Sequence, residues 1–238
     1  MHQDGLDERS ADAERDNVGR KIAQKWRCEA SVIAYLWRPG SPIRRPMQLA
    51  FATPEDRSII DAIDHRYFRL ESSGPRVAAP ETDRSDDEYI VATQHGEIAG
   101  YVEISGPERD YPIERFFARE ELPMAFDDGL YEVRIVVVGD AAIERPALSL
   151  GIAALRAVER RGGTHVVAIA RVDLIPFYRK LGLVPLELRL HSGIVEFEVM
   201  HASVLVLRRR SIALAAELEM LRATLDWQLP FPFDPGPA

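Results

Sequence analysis

Residues 131 to 185 read YEVRIVVVGDAAIERPALSLGIAALRAVERRGGTHVVAIARVDLIPFYRKLGLVP, and this stretch decides the fold. Leu130 to Val138 has the β-branched density of a strand. Ala147 to Arg161 places Leu148, Ile152, Leu155 and Val158 on one helical stripe, and Gly162-Gly163 stops it. His165 to Val172 is nearly continuous apolar sequence, as a strand buried on both faces requires. Asp173 stands where it can cap a short helix that Gly182 ends. The succession is strand, helix, strand, helix, and it predicts an α/β fold.

Working outward, Leu186 to Leu190 and Gly193 to Val199 alternate as closing strands. Leu214, Leu218, Leu221 and Leu225 form one stripe of a helix predicted over 211–226, and the tail LPFPFDPGPA is proline-rich and extended. Upstream, Met47 to Thr53 is apolar enough for a short strand. Thr53-Pro54-Glu55-Asp56 then starts a helix that carries Ile59, Ile60, Ile63, Tyr67 and Leu70. Glu71 to Asp87 is rich in breakers and predicts a loop. Tyr89 to Thr93 and Ile98 to Ile104 flank His95-Gly96-Glu97 as a hairpin. Pro107 to Asp128 is acidic and broken by prolines, an irregular connection across the sheet. The expected division is a polar extension over 1–45, a core domain over 46–205, and a C-terminal helix with its tail over 206–238.

The 238 residues suffice for a substantial core, and 46% apolar with 29% charged residues is a globular composition. A net charge of −8 argues against nonspecific binding to nucleic acid or anionic lipid. The single cysteine, Cys28, cannot form an intramolecular disulfide, and no apolar run reaches the length of a membrane span. A cytoplasmic location is the expectation. The six histidines lack metal-site spacing, so no metal is expected; no Gly-x-Ser-x-Gly or Gly-x-Gly-x-x-Gly phrase occurs.

Phe177-Tyr178-Arg179-Lys180-Leu181-Gly182-Leu183, at the end of the deciding stretch, resembles the Phe-Tyr phrase of the GCN5-related N-acetyltransferases. Glu132-Val133-Arg134 is similar to the Glu-x-Ser-Arg of the autoinducer and N-acyl amino acid synthases that share their fold, without the serine. Tyr111-Pro112-Ile113-Glu114-Arg115-Phe116-Phe117 resembles a Leu-Pro-x-Glu-x-x-Phe stretch of the N-acyl amino acid synthases, and Arg66-Tyr67-Phe68-Arg69 their basic-aromatic helix end. The resemblance spans roughly Met47 to Met200. It implies a mostly antiparallel mixed sheet flanked by helices and transfer of an acyl group from a thioester to a small-molecule amine such as an amino acid. The donor would be acyl-coenzyme A or acyl carrier protein, with a medium or long acyl chain.

The resemblance also assigns roles. Two neighbouring strands diverge in this family, and their amides hold the pantetheine arm and the thioester oxygen. The equivalents are Ile135, Val136, Val137 and Val138 in one strand and Ala168, Ile169 and Ala170 in the other. Tyr178 would be the general acid for the departing sulfur, a role open to a phenol that stays protonated at neutral pH, or else an aromatic packing the helix on the sheet. Glu132 would relay the amine's proton while Arg134 orients a carboxylate or Glu132 itself; two apart on a strand, they also suit an ion pair. Glu103, in Gly100-Tyr101-Val102-Glu103-Ile104, is a competing base, and stands where the synthases' Gly-x-x-Arg-Leu has arginine.

At the family's diphosphate loop this chain has Pro146-Ala147-Leu148-Ser149-Leu150-Gly151. Ser149 and Gly151 fall on the phosphate-binding positions, and only Gly151 keeps the pattern. Proline removes a donor and serine obstructs close backbone approach, which sets acyl carrier protein beside acyl-coenzyme A as a donor. Arg208-Arg209-Arg210 is a basic run able to attract an acidic carrier or simply a solvated surface. The alternatives are an acetyl-coenzyme A-dependent N-acetyltransferase and an inactive acyl-binding or interaction module of the same fold.

Overall fold

The computed structural model of the protein describes residues 46–68, 89–138, 144–192 and 195–234. Its strands are β1 (Met47–Phe51), β2 (Tyr89–Gln94), β3 (Glu97–Ser105), β4 (Leu130–Val137), β5 (His165–Arg171), β6 (Val184–Ser192), β7 (Val195–Ser203) and β8 (Leu225–Trp227). The helices are α1 (Pro54–Phe68), α2 (Glu144–Arg160), α3 (Ile175–Leu181), α4 (Val204–Ala213) and α5 (Ala215–Arg222). All strands join one sheet in the order β6-β7-β5-β4-β3-β2-β1-β8. Only β4–β5 and β1–β8 are parallel, so the sheet is mixed and mostly antiparallel.

Local chemistry sets the element ends. Thr53 and Asp56 exchange bonds across the start of α1: the Asp56 N–H donates to Thr53 Oγ1 at 3.2 Å and the Thr53 N–H to Asp56 Oδ2 at 2.9 Å. His95 and Gly96 both take positive φ, 57° and 85°, which a two-residue hairpin turn between β2 and β3 requires. Gly182 ends α3 in the left-handed region at φ 106°. Asp173 does not cap α3, whose N-cap is Leu174; it pairs instead with Arg171 at 2.5 Å.

Strand alternation gives the sheet two faces. Tyr131, Val133 and Ile135 of β4 and Val166, Ala168 and Ala170 of β5 turn to a back face where α2 packs Leu150, Ala153, Ala154, Ala157 and Val158 against them. The alanines let the helix approach closely. Leu130, Val167, Ile169 and Val199 turn to the front, under Tyr111, Ile113 and Leu122 of the irregular connection, and α1 covers Tyr89, Val91 and Tyr101 with Ile60.

The helix expected over 211–226 is two helices, α4 and α5, meeting at Leu214 and followed by a strand. Ser203 begins α4 by accepting from the Val206 N–H at 3.3 Å. The leucine stripe is buried as expected, but against α2: Leu214, Leu218 and Leu221 cluster with Ile152 and Phe233. The chain then lays β8 along the outer edge of β1, covering an edge that would otherwise be open. Cys28, the segment from Trp26 to Trp37, the loop 71–87 and the side chains of Arg66 to Arg69 lie outside the described residues.

Gly182 supplies a stability test, because a Cβ there would stand 2.8 Å from Arg210 Cγ and 3.2 Å from Val206 Cγ1 at a positive φ. Gly182→Ala is expected to lower the unfolding free energy by about 1–3 kcal/mol, measured by chemical denaturation.

Candidate active site

The parallel ladder between β4 and β5 lasts three residue pairs, from Leu130–His165 to Glu132–Val167. Beyond it β4 stays with β3 as far as Val137, and β5 stays with β7 as far as Arg171. The two strands part as the resemblance implied, and their direction fixes which amides face the gap. The Val138 N–H donates to Ala99 O at 2.9 Å, so the alternation of an antiparallel ladder turns the amides of 134 and 136 to β3 and those of 135 and 137, past the end of the parallel ladder, to the gap. On β5, the Val204 N–H bonds Thr164 O at 2.8 Å, which by the same alternation turns 166, 168 and 170 to β7 and turns 169 to the gap. Of the expected arm-binding residues, Ile135, Val137 and Ile169 therefore present amides to the gap. Val136, Val138, Ala168 and Ala170 do not, because their amides serve the flanking ladders.

Behind the gap lies a cavity of about 50 Å³. Val133, Ile135 and Ala168 form its floor, Gly151 and Tyr178 stand on its sides, and Leu207, with Ser211 and Leu214 of the same segment, closes it from outside. Tyr178 is 4% exposed, and burial pushes its phenol up to about 12, so it remains protonated. Its position on the back face sets it across the sheet from Glu132, not beside it.

The expected diphosphate loop is not a loop. α2 begins at Glu144, so Pro146 to Gly151 lie inside the helix and the N–H groups of Ser149 and Gly151 belong to its ladder. The Ser149 hydroxyl, fully buried, donates to Arg145 O at 2.8 Å. Gly151 serves packing: a Cβ there would meet Leu181 Cδ1 at 3.4 Å and Ile135 Cδ1 at 3.8 Å. Arg145 reaches over the helix start to Thr224 O at 3.0 Å, which ties the chain before β8 to the start of α2.

On the front face at the point of parting, Glu132 is 2% exposed and accepts one bond, from the Ile113 N–H at 2.9 Å. Burial pushes its carboxyl up to about 8 against the pull of that N–H; the charge of Glu103 adds to the rise, and Arg134 and Arg115 oppose it. Glu132 and Arg134 are not an ion pair. Arg134 grips Asp64 with two bonds, at 2.9 and 2.8 Å, and Glu103 with two more, at 2.8 and 2.5 Å. Burial alone would lower the guanidinium's pKa, but Glu103 and Asp64 outweigh it and hold the group above its ordinary value. Glu103 also accepts from the Tyr89 hydroxyl at 2.7 Å, and Tyr101 donates to Asp64. Glu103 is thus held by donors, whereas Glu132 is the carboxyl whose proton is poised near neutrality. Asp64 went unnoticed in the sequence because nothing marks one acid among several on a polar helix.

No family model and no curated protein matches the chain. Among solved structures it is similar to BjaI, described as a coenzyme A-dependent acyl-homoserine lactone synthase, both with SAM and isopentyl-CoA and with MTA. Each comparison has 16% identity and a TM-score of 0.51 over 79% of this chain and 95% of that one. The likeness to yncA, a putative acetyltransferase from Salmonella typhimurium with acetyl-CoA, is slighter: TM-score 0.43 at 16% identity over 67% and 95%. The chain thus shares with BjaI an α/β fold built on a mixed, mostly antiparallel sheet flanked by helices.

A carboxyl protonated in the folded state and ionised in the unfolded one loses stability as pH rises, because the native state then holds the extra proton. For Glu132 that window runs from about 4.5 to about 8. Glu132→Gln, which cannot ionise, is expected to match the parent near pH 4.5 and to exceed its stability by a few kcal/mol at pH 9, measured by denaturation across pH.

Proposed function

We propose that the protein is an N-acyltransferase that moves an acyl group from a thioester to a small-molecule amine. The observation that carries this reading is the parting of β4 and β5 after Glu132 and Val167, with open amides in the gap, a buried carboxyl in front and an apolar cavity behind. In this reading the thioester lies in the gap with its acyl group in the cavity, and N–H groups of β4 face the carbonyl oxygen as it gains charge. The amine nitrogen enters from the front and bonds the carbonyl carbon, and its proton passes to ionised Glu132. The carbon–sulfur bond then breaks, and the departing thiolate takes a proton from Tyr178. No covalent enzyme intermediate is needed.

Two details refine the substrates. A cavity of about 50 Å³ is only a few times the ~10–15 Å³ needed for one water, so a short acyl group suits it better than the long one implied by resemblance. Ser149 and Gly151 lie inside α2 with their N–H groups engaged in its ladder, which favours a donor held chiefly by its pantetheine arm. Arg209 and Arg210 lie exposed on α4, the helix that closes the cavity, where an acidic carrier protein would present such an arm. Arg134 is engaged by Asp64 and Glu103, so it is not read as the holder of an acceptor's carboxylate.

Mass spectrometry of products after incubation with acyl carrier protein thioesters, acyl-coenzyme A and mixed amines is expected to find an N-acyl amide. The kcat/KM should rise with pH through about 8 as Glu132 ionises, and Tyr178→Phe should lower turnover at least tenfold, within the ~10²–10⁴-fold range of proton-transfer groups, with little change in Tm. Absence of product from every donor and amine would overturn the reading.

Donor anchoring is tested separately by competition between acyl-coenzyme A and acyl-pantetheine of equal chain length. Affinities within about a hundredfold, near 2.7 kcal/mol, are expected; a wider gap would mean that the diphosphate is bound after all.

A further inference from the structure

The stretch Tyr111-Pro112-Ile113-Glu114 takes no part in the chemistry above, yet it is joined to Glu132. Pro112 to Arg115 form one short 3-10 turn beginning at Tyr111. The first N–H groups of such a turn have no acceptor within it. Pro112 has none to offer, and Glu114 donates back to Tyr111 O at 3.0 Å, so Ile113 is left with the free N–H, aimed at Glu132 Oε2. Ile113 is fully buried and the Tyr111 hydroxyl donates to Leu130 O at 2.9 Å, which pins the turn to β4 two residues before Glu132. The turn's own entry is closed by Glu114: its Oε2 accepts from the Tyr111 N–H at 3.1 Å, and Arg119 grips its carboxylate from outside.

We propose that Glu114 is a positioning residue for Glu132: it locks the turn so that the Ile113 N–H stays on the buried carboxyl and sets the pH at which that carboxyl ionises. Glu114 lies apart from Glu132 and acts only through the backbone between them. Arg119 keeps it an anion, holding its carboxyl below the ordinary range, so it remains an acceptor across the pH range in which Glu132 titrates. An N–H donated to a carboxyl favours the ionised form. Loosening the turn therefore raises the pKa of Glu132.

The functional consequence rests on the acyl-transfer reading, but the test does not. The carboxyl of Glu132 is followed by carbon-13 NMR across pH without substrate, its signal assigned by its absence in Glu132→Gln. Glu114→Ala is expected to move the midpoint upward by about one unit, tenfold in proton affinity. Glu114→Gln, whose amide oxygen still accepts from Tyr111, should stay within a few tenths of a unit of the parent. An unmoved midpoint in Glu114→Ala, or an equal shift in both variants, would overturn the proposal. Should Glu114→Ala not fold, Arg119→Ala loosens the same lock from an exposed position and is expected to shift the midpoint in the same direction; no shift there overturns it as well. If the titration shifts as expected but no N-acyl product is found with any donor, the acyl-transfer reading fails and the positioning role stands.

Discussion

Three pairs of hydrogen-bonded residues, from Leu130–His165 to Glu132–Val167, hold the two halves of the sheet together, and the arrangement of the site depends on how early that ladder ends. Had it continued, the amides of 135, 137 and 169 would be satisfied within the sheet and unavailable to anything else. Separation is tolerable because each strand keeps a full antiparallel partner, β3 on one side and β7 on the other. It also opens a wedge on the back face that the small residues Gly151, Ala154 and Ala168 do not fill, and the cavity is what remains. Ladder, open amides and cavity are three views of one geometric fact.

The front of the sheet shows the matching electrostatic constraint. Asp64, Glu103 and Arg134 satisfy one another, and four bonds to one guanidinium offset much of the cost of removing these charges from water. Glu132, two residues earlier on the same face, has among the described residues only the Ile113 N–H, and a single bond does not compensate burial. Burial pushes its carboxyl up to about 8, and the pulls of the Ile113 N–H, Arg134 and Arg115 do not offset it. A carboxyl that is costly to ionise is a liability for stability and an asset for moving a proton near neutral pH.

Much of this was legible in the chain. The β-branched runs around Val136 and Val167 and the stripe through Ile152 and Val158 identified the central elements to within a few residues, since burial on both faces or on one stripe leaves a direct mark on composition. Glu132 and Tyr178 stood out through family phrases. Amide direction did not, because it depends on which ladder starts where: nothing at Val136 distinguishes it from Val137, yet only one faces the gap. Ion-pair choice was equally hidden, as Arg134 reaches Asp64, seventy positions away in sequence. The break of the last helix at Leu214 escaped notice because the leucine stripe continues through it, and a stripe records which side is buried rather than whether the axis is straight.

That break shapes the outer wall of the cavity. α4 packs on α2 and α3 and supplies Leu207 and Ser211, with Leu214 just past its end, after which α5 packs on α2 and β8 fastens the chain to β1 at the far edge of the sheet. A straight helix from 204 to 222 would extend about 28 Å at 1.5 Å per residue and could not turn to reach that edge. The turn at Leu214 lets one segment both wall the cavity and close a sheet edge, with Arg145 tying its end at Thr224 to the start of α2. The back of the gap is consequently walled by Leu207, Ser211 and Leu214, residues held there by the same turn that frees the following chain to reach the sheet edge.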